Sequence, residues 1–314
     1  VSDNKLYDWQ RIVQTTIHFV HSESTMESTS AGPVDRLSGL LERFRVHAHL
    51  FHAGPLCGVT RFDAREGRGF LHVLRRGEMV VTHRPRSGAP RTIKITEPTL
   101  LLYARPLEHH FHNAPTEGSD FVCATVDFVG GVRHPVVAAL PPVVVLPLRT
   151  VDGIEQTLAL LFAETERVRC GQRLLADRLF EVLLLQLLRW LLDHPGHGGV
   201  TEGLIHGLAH PKLARALTAM HENPGAAWAL ETMAQAAGMS RSAFAAEFKL
   251  QIGVTPADYL LRWRVSLAQS MLLEGRSIKL ASEKLGYAGA ASFSRAFVQS
   301  EGMSPRAWLK GRQV

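Results

Sequence analysis

One helical unit is written twice near the C-terminal end of this chain, and that duplication limits the possible folds more than any other feature. Phe244, Phe248, Gly253, Thr255, Pro256, Tyr259 and Leu260 recur at a constant offset of 49 positions as Phe293, Phe297, Gly302, Ser304, Pro305, Trp308 and Leu309. Identical or chemically equivalent residues at one fixed spacing mark a repeated structural unit, and two copies are too few for a solenoid.

Each copy reads as a helix-turn-helix. In the first, Leu230, Met233, Ala234 and Ala237 follow the i, i+3, i+4, i+7 spacing of one apolar helix face. Gly238 ends that helix where a residue without Cβ takes positive φ, and Ser240 is a natural N-cap for the next. Phe244 and Phe248, one turn apart, face inward. Arg241, Ser242, Ala245, Ala246 and Lys249 are left on the opposite face, which is small, polar and basic, as a helix entering a DNA major groove requires. The second copy runs through Ile278, Ala281 and Leu285, turns at Gly286-Tyr287, and leaves Ala290, Ala291, Ser294, Arg295 and Gln299 outward. Between them, Thr255-Pro256 supplies an N-cap and a first-turn proline. The helix expected over 257–273 spans roughly 25 Å at 1.5 Å per residue. Such a rod suits two recognition helices set about 34 Å apart, one turn of B-DNA.

Charge points the same way. Residues 211–314 carry 13 Lys and Arg against 7 Asp and Glu, whereas residues 1–210 carry 22 of each. The formal excess of +6 therefore falls entirely on the repeat-bearing part, as phosphate neutralisation requires. Arg262 and Arg264 on the connecting helix, with Lys212 and Arg215 before it, are candidate phosphate contacts.

The stretch G-M-S-R-S-A-F-A-A-E-F-K at 238–249 resembles the first helix-turn-helix of the AraC/XylS transcription regulators. G-Y-A-G-A-A-S-F-S-R-A-F at 286–297, followed by G-M-S-P at 302–305, resembles that family's second and most diagnostic motif. The resemblance covers about the last hundred residues. It implies a cytoplasmic regulator or activator that binds double-stranded DNA, forms a homodimer and acts on RNA polymerase. Several recognition positions here are alanine, which points to few or apolar base contacts.

At 314 residues the chain has room for two domains. Its hydrophobic fraction of 46% and charged fraction of 20% are those of an ordinary globular protein. Three cysteines without metal-type spacing argue against a disulfide framework and for a reducing compartment. The polar, acidic opening lacks a signal-peptide pattern, and the Leu-rich run at 179–192 is too short for a membrane span. Residues 1–33 read as a flexible segment, with Met26 as an alternative start to Val1. Leu37, Leu40, Leu41 and Phe44 then mark a short helix with Asp35 as N-cap.

From 46 to 148 the pattern becomes short extended runs: 46–51, 56–62, 69–74, 79–84, 92–95, 100–103, 121–128 and 143–148. Many short strands separated by Gly, Pro and charged turns argue for a sandwich or barrel. H-V-L-R-R-G-E at 72–78 resembles the central turn of the cupin jelly roll found ahead of AraC-type DNA domains. E-P-T-L-L-L-Y-A-R-P-L-E-H-H at 97–110 resembles the later cupin motif, with Glu97-Pro98 where Gly-Asp is usual. The helix at 35–41, D-x-L-S-x-L-L, is similar to one cupin subgroup.

Some cupins are metal enzymes, so the histidines matter. His47/His49 and His110/His112, two apart on strands, are possible ligand pairs. A metal cupin, however, needs His-x-His and then Glu ahead of the central turn. Here Leu74 follows His72 at the second position and Glu78 follows Gly77. No metal and no other cofactor is expected. His72, His83, His109 and His110 remain candidates for sensing a ligand or protons, since imidazole titrates near neutrality. Cys57 and Cys123 are the thiol candidates, both expected to be buried and inert.

Residues 151–194 return to helix. Ile154, Leu158, Leu161 and Phe162 mark one face, and Leu175, Leu179, Val182, Leu183, Gln186 and Trp190 another that is apolar enough to pack partly on a second subunit. Pro195 and five glycines make 195–210 an expected linker. The expectation is an α+β chain: a flexible segment at 1–33, a cupin-like β jelly roll at 34–150 with flanking helices, and a helical dimerisation region at 151–194. A linker at 195–210 and an all-α double helix-turn-helix domain at 211–314 complete it. Its expected function is sequence-specific transcription regulation tuned by an unknown small-molecule or redox signal, without enzymatic activity or membrane association. Two alternatives are a cupin metalloenzyme fused to a DNA domain and an effector-independent DNA binder, the latter having a jelly-roll interior filled by large side chains.

Overall fold

The computed structural model describes residues 34–65, 67–114, 118–200 and 202–311. The segment at 1–33, including Met26, lies outside the described residues. Asp35 opens the described chain as a cap. Its Oδ1 accepts from the backbone N–H groups of Leu37 and Ser38, and its Oδ2 takes the Ser38 hydroxyl. These bonds, the Ser38 hydroxyl first, hold the Asp35 carboxyl below the ordinary carboxylate range. The turn they fix leads into α1 (Ser38–Leu41).

Among the described residues nine strands follow: β1 (Val46–Leu56), β2 (Val59–Phe62), β3 (Arg68–Arg76), β4 (Met79–His83), β5 (Thr92–Ile95), β6 (Thr99–Tyr103), β7 (His109–Asn113), β8 (Ser119–Phe128) and β9 (Val144–Pro147). They form two antiparallel sheets, ordered β1-β8-β3-β6-β9 and β2-β7-β4-β5. Burial explains their sequences. β6 is buried at all five positions and β3 along its middle, because the five-stranded sheet is covered on both faces; hence their unbroken apolar runs. β4 alternates buried and half-buried residues, since only one face of the smaller sheet turns inward.

Three strand expectations change. The run expected at 46–51 continues to Leu56 through Gly54 and Pro55, which an edge strand tolerates. The run expected at 56–62 is cut by a turn at Gly58 (φ +65°), so β2 starts at Val59 and joins the other sheet. β7 had no counterpart, because its His-His-Phe-His-Asn composition carries little apolar signal.

The edge of β1 is closed by side chains. The Leu50 N–H donates to Asp177 Oδ1 at 2.7 Å and the Ala48 N–H to Glu181 Oε1 at 3.4 Å. These carboxylates sit one turn apart on α4 (Gln172–Asp193), which packs on the strand after α2 (Pro135–Ala139) and α3 (Glu155–Thr165). Edge N–H groups are thereby satisfied without another strand.

The stretch expected as a linker contains α5 (Leu204–Ala209), whose Leu204, Ile205 and Leu208 are buried. Gly203 donates its N–H to the Gln251 carbonyl, and a Cβ on Gly207 would collide with the Ile252 side chain. His210 then caps α6 (Pro211–Glu222), its Nδ1 accepting from Lys212 and Leu213. The glycines here permit close packing and turns rather than a loose tether. Behind α6 come α7 (Leu230–Ala237), α8 (Arg241–Ile252), α9 (Pro256–Leu273), α10 (Ile278–Lys284), α11 (Ala290–Glu301) and α12 (Pro305–Lys310). One apolar core runs without a break from the outer face of the five-stranded sheet, through α4 and α6, to Phe293, Phe297 and Trp308. No helix among the described residues is long and apolar enough to cross a membrane.

Candidate nucleic-acid interface

The repeated residues hold the same structural posts in both copies. Gly253 (φ +84°) ends α8 and Gly302 (φ +73°) ends α11. Thr255 and Ser304 cap α9 and α12, accepting from the N–H groups of Asp258 and Ala307, with Pro256 and Pro305 at the first helical positions. The rings close each unit. Phe244 lies 5.4 Å from Phe248, which meets Tyr259 at 5.6 Å; Phe293 lies 5.8 Å from Phe297, which meets Trp308 at 5.9 Å. The 49-residue offset is thus the recurrence of a helix stop, a helix start and a three-ring core.

With the rings inside, the expected faces turn outward. On α8, Arg241, Ser242, Ala246 and Lys249 are exposed and Ala245 is half-buried; on α11, Ala290, Ala291, Arg295 and Gln299 are exposed and Ser294 is half-buried. Ser240 spends its Oγ on the Ala243 N–H as the cap of α8. Helical spacing adds two residues that the sequence reading passed over. Leu250, one turn beyond Ala246, and Val298, three beyond Arg295, are exposed apolar side chains on the same helices. A cleft of about 830 Å³ opens between the two units, with Ala245, Ala246 and Lys249 on one wall, Gln299 and Tyr287 on another, and Asp258 and Leu261 of α9 also lining it.

The basic candidates on and before α9 separate. Lys212 is exposed. Arg215 donates to the Ala237 carbonyl at 3.1 Å, beside the Gly238 turn. Arg264 is half-buried, donating through Nε to the Pro224 carbonyl at 2.7 Å and through Nη2 to the Ala226 carbonyl at 2.8 Å, with its guanidinium 5.5 Å from the centre of the Tyr287 ring. Burial pulls its guanidinium below the ordinary value. Arg264 therefore braces the second unit against the 224–226 loop, with two of its guanidinium nitrogens already engaged. The same loop explains Gly286: with φ +74°, it leaves no room for a Cβ beside the Gly225 carbonyl. Arg262 is exposed but lines a different cleft, together with Pro135 and Ala138 of α2, and not the one between the recognition helices.

The sensor candidates lie mostly inside the jelly roll. His72, His83 and His109 are buried among Phe62, Phe70, Tyr103, Phe111 and Phe121. His109 Nδ1 donates to the Leu107 carbonyl at 2.8 Å, so its Nε2 accepts from His72 Nε2–H at 2.9 Å. His83 Nδ1 donates to the Pro90 carbonyl and its Nε2 accepts from the Tyr103 hydroxyl at 2.9 Å. All three rings are neutral in this arrangement. Burial holds His109 down to about 3 and His72 well below the usual imidazole range. His110 is half-buried beside Glu108, and His112 meets the Thr82 hydroxyl instead of sharing a ligand with it. His47 and His49 face Glu181 and Asp177 respectively. Among the described residues no group of three or more His, Cys, Asp or Glu is placed to hold a metal ion. Cys123 is buried, which pushes its thiol up. Cys57, expected to be buried, is exposed because it falls in the β1–β2 turn rather than in a strand.

Comparison with known proteins agrees with this architecture. A cupin family profile matches residues 35–193 and a helix-turn-helix domain profile matches residues 233–311. A protein of Streptomyces lividans described as an AraC-like transcription regulator is 31% identical over 304 residues, covering 88% of this chain and 98% of its own length. A second of that description, from Streptomyces antibioticus, is 34% identical over 174 residues, covering 54% of this chain and 57% of its own. A solved transcriptional regulator with an AraC-type DNA-binding domain, from Chromobacterium violaceum, is 26% identical with a TM-score of 0.30, covering 32% of this chain and 92% of that one. The chain belongs to the AraC-like transcription regulators, joining a cupin domain to a double helix-turn-helix DNA-binding domain.

Proposed function

We propose that α8 and α11 are the reading helices and occupy two successive major-groove segments on one face of a DNA duplex. The observation that carries this is the shared cleft between the two units, which draws Ala245, Ala246, Lys249 and Gln299 to one surface. Arg241, Lys249 and Arg295 supply charge there, and Arg295 is the residue suited to reading a guanine. Ala246, Ala290 and Ala291 suit thymine methyl groups. The chain acts as a cytoplasmic, non-enzymatic regulator that engages RNA polymerase. It dimerises through α4, where Leu174, Leu175 and Val182 are exposed apolar side chains beside Arg178. A small effector bound by the sensor half alters the DNA-binding half by favouring one conformation.

Binding of the full chain to duplex DNA, titrated at several salt concentrations, tests the reading. Affinity falls steeply with salt, by a slope of about 0.9 per neutralised phosphate, and Lys249→Ala lowers that slope by about one contact. Affinity that ignores salt contradicts it. One observation favours a second reading, that of an effector-independent binder: the rings of Phe62, Phe70, Tyr103, Phe111 and Phe121 fill the jelly-roll interior. DNA affinity unchanged by any effector supplied to purified protein distinguishes that case.

A further inference from the structure

The smaller sheet keeps its rings inside and turns a polar face outward. Register places Thr92 of β5, Thr82 of β4, His110 of β7 and Arg61 of β2 in one row across it. Where β4 runs into the hairpin to β5, a cavity of about 410 Å³ is lined by Thr82, Arg84, Arg91, Thr92, Glu108 and His110. That volume lies within the range of about 300–1,000 Å³ found for small-molecule sites, whose walls are mostly apolar. Here Pro85 is the one aliphatic side chain on the wall. The His83 ring, also on the wall, has both nitrogens engaged, Nδ1 with the Pro90 carbonyl and Nε2 with the Tyr103 hydroxyl. Its backbone N–H holds the Arg91 carbonyl at 3.0 Å, so the hairpin is clamped with Arg84 and Arg91 lining one cavity from its two arms. Charge is unbalanced there. From Thr82 to Ile95 the chain has four basic residues and no acidic one. Glu108 is the one carboxylate on the wall, and it is already shared. Arg84 Nη2 lies 2.8 Å and Arg61 Nη2 3.5 Å from its Oε2, and His110 Nε2 lies 3.2 Å from its Oε1. Arg84 is thereby held in place with other N–H donors free. The Arg91 guanidinium and the Thr92 hydroxyl have no partner among the described residues.

We propose that this cavity binds a small phosphate monoester with a hydroxylated body. The phosphate carries about two negative charges at neutral pH and three acceptor oxygens. It accepts from the forked guanidinium groups of Arg84 and Arg91 and from the Thr92 hydroxyl, so two cations meet its two charges. Glu108 faces the rest of the ligand and accepts from one of its hydroxyl groups. A monocarboxylate or a nucleic-acid phosphodiester brings a single charge and leaves one guanidinium uncompensated. An apolar body finds no apolar wall to lie against. The site belongs wholly to the jelly roll and stands apart from the reading of α8 and α11.

The test is calorimetry on the full chain without DNA, with glycerol 3-phosphate as the probe and glycerol, glycerate and dimethyl phosphate as comparisons. Glycerol 3-phosphate is expected to bind, glycerate and dimethyl phosphate to bind about tenfold more weakly or less, and glycerol not to bind. Arg84→Met and Arg91→Met each weaken binding of the probe by about tenfold or more, and Thr92→Val weakens it several-fold. Arg167→Met, at an exposed residue between α3 and α4, leaves it unchanged. Arg84, Arg91 and Thr92 are all exposed, so their variants keep the fold, which a denaturation midpoint equal to the parent's checks. Any one of three results overturns the proposal: the probe fails to bind, glycerate or dimethyl phosphate binds as tightly, or the two arginine variants bind the probe as the parent does. The last result places the phosphate on the basic surface of the DNA-binding half instead.

Discussion

Arg262 and Arg264 stand two positions apart on α9 and have different surroundings. Arg264 gives two hydrogen bonds to the carbonyls of Pro224 and Ala226 and lies over Tyr287, while Arg262 is exposed beside α2. Removing a charged donor costs about 1.5–3 kcal/mol for a bond kept from water, as the part-buried one to Pro224 is, and less for the exposed one to Ala226. Arg264→Ala is therefore expected to lower unfolding free energy by about 2 kcal/mol in chemical denaturation, and Arg262→Ala to stay within about 0.5 kcal/mol of the parent. Equal stability of the two variants contradicts the bracing role. Charge counting along the sequence could not separate these arginines, because both are basic residues on one helix and only the partners of that helix decide which is held. Phe244, Phe248 and their copies were legible for the opposite reason: a ring at helical spacing can be buried only on the inner face, which fixes the outward set by geometry.

At the scale of elements, the edge strand β1 shows what pattern reading leaves out. Its N–H groups at Ala48 and Leu50 are satisfied by Glu181 and Asp177 of α4, residues more than a hundred positions away. Asp177→Ala leaves the Leu50 N–H without its acceptor, and the expected loss is about 1–3 kcal/mol, read as a lower denaturation midpoint. A midpoint equal to the parent's means that water replaces the carboxylate. β7 escaped the sequence reading because its inward residues include His109, a polar type whose burial depends on a partner, His72, on another sheet. The helix-turn-helix elements were legible because stops and starts are local chemistry: glycine at positive φ, then Ser or Thr with Pro. The glycine-rich stretch that includes α5 gives a local signal of freedom, whereas Gly207 within that helix serves close packing against Ile252.

Across the whole molecule, the continuous core ties the cupin half to the DNA-binding half. Phe44, after α1, lies 5.1 Å from Trp263 of α9, and His134 Nε2 donates to the Phe44 carbonyl at 3.0 Å. Buried imidazoles on both sides of this junction make stability sensitive to acid. Burial holds His134 down to about 4, and burial with the Arg43 charge holds His221 down to about 3. The unfolded chain takes up these protons near 6.5, and the folded chain does so only at much lower pH. Their contribution is complete above pH 6.5 and is lost as pH falls toward 4, on the order of 3 kcal/mol for a group such as His221. Denaturation midpoints should fall steadily between pH 7 and about 5.5, above the range where most carboxylates titrate. A flat profile there contradicts neutral burial.

Two duplicated units that read neighbouring grooves from one surface leave a pattern on DNA that hydroxyl-radical footprinting of the full chain on a selected binding site detects. Two protected segments are expected, about one helical turn apart on the same face of the duplex. Lys249→Glu weakens one segment and Arg295→Glu the other. A single protected segment that both substitutions weaken alike would contradict it.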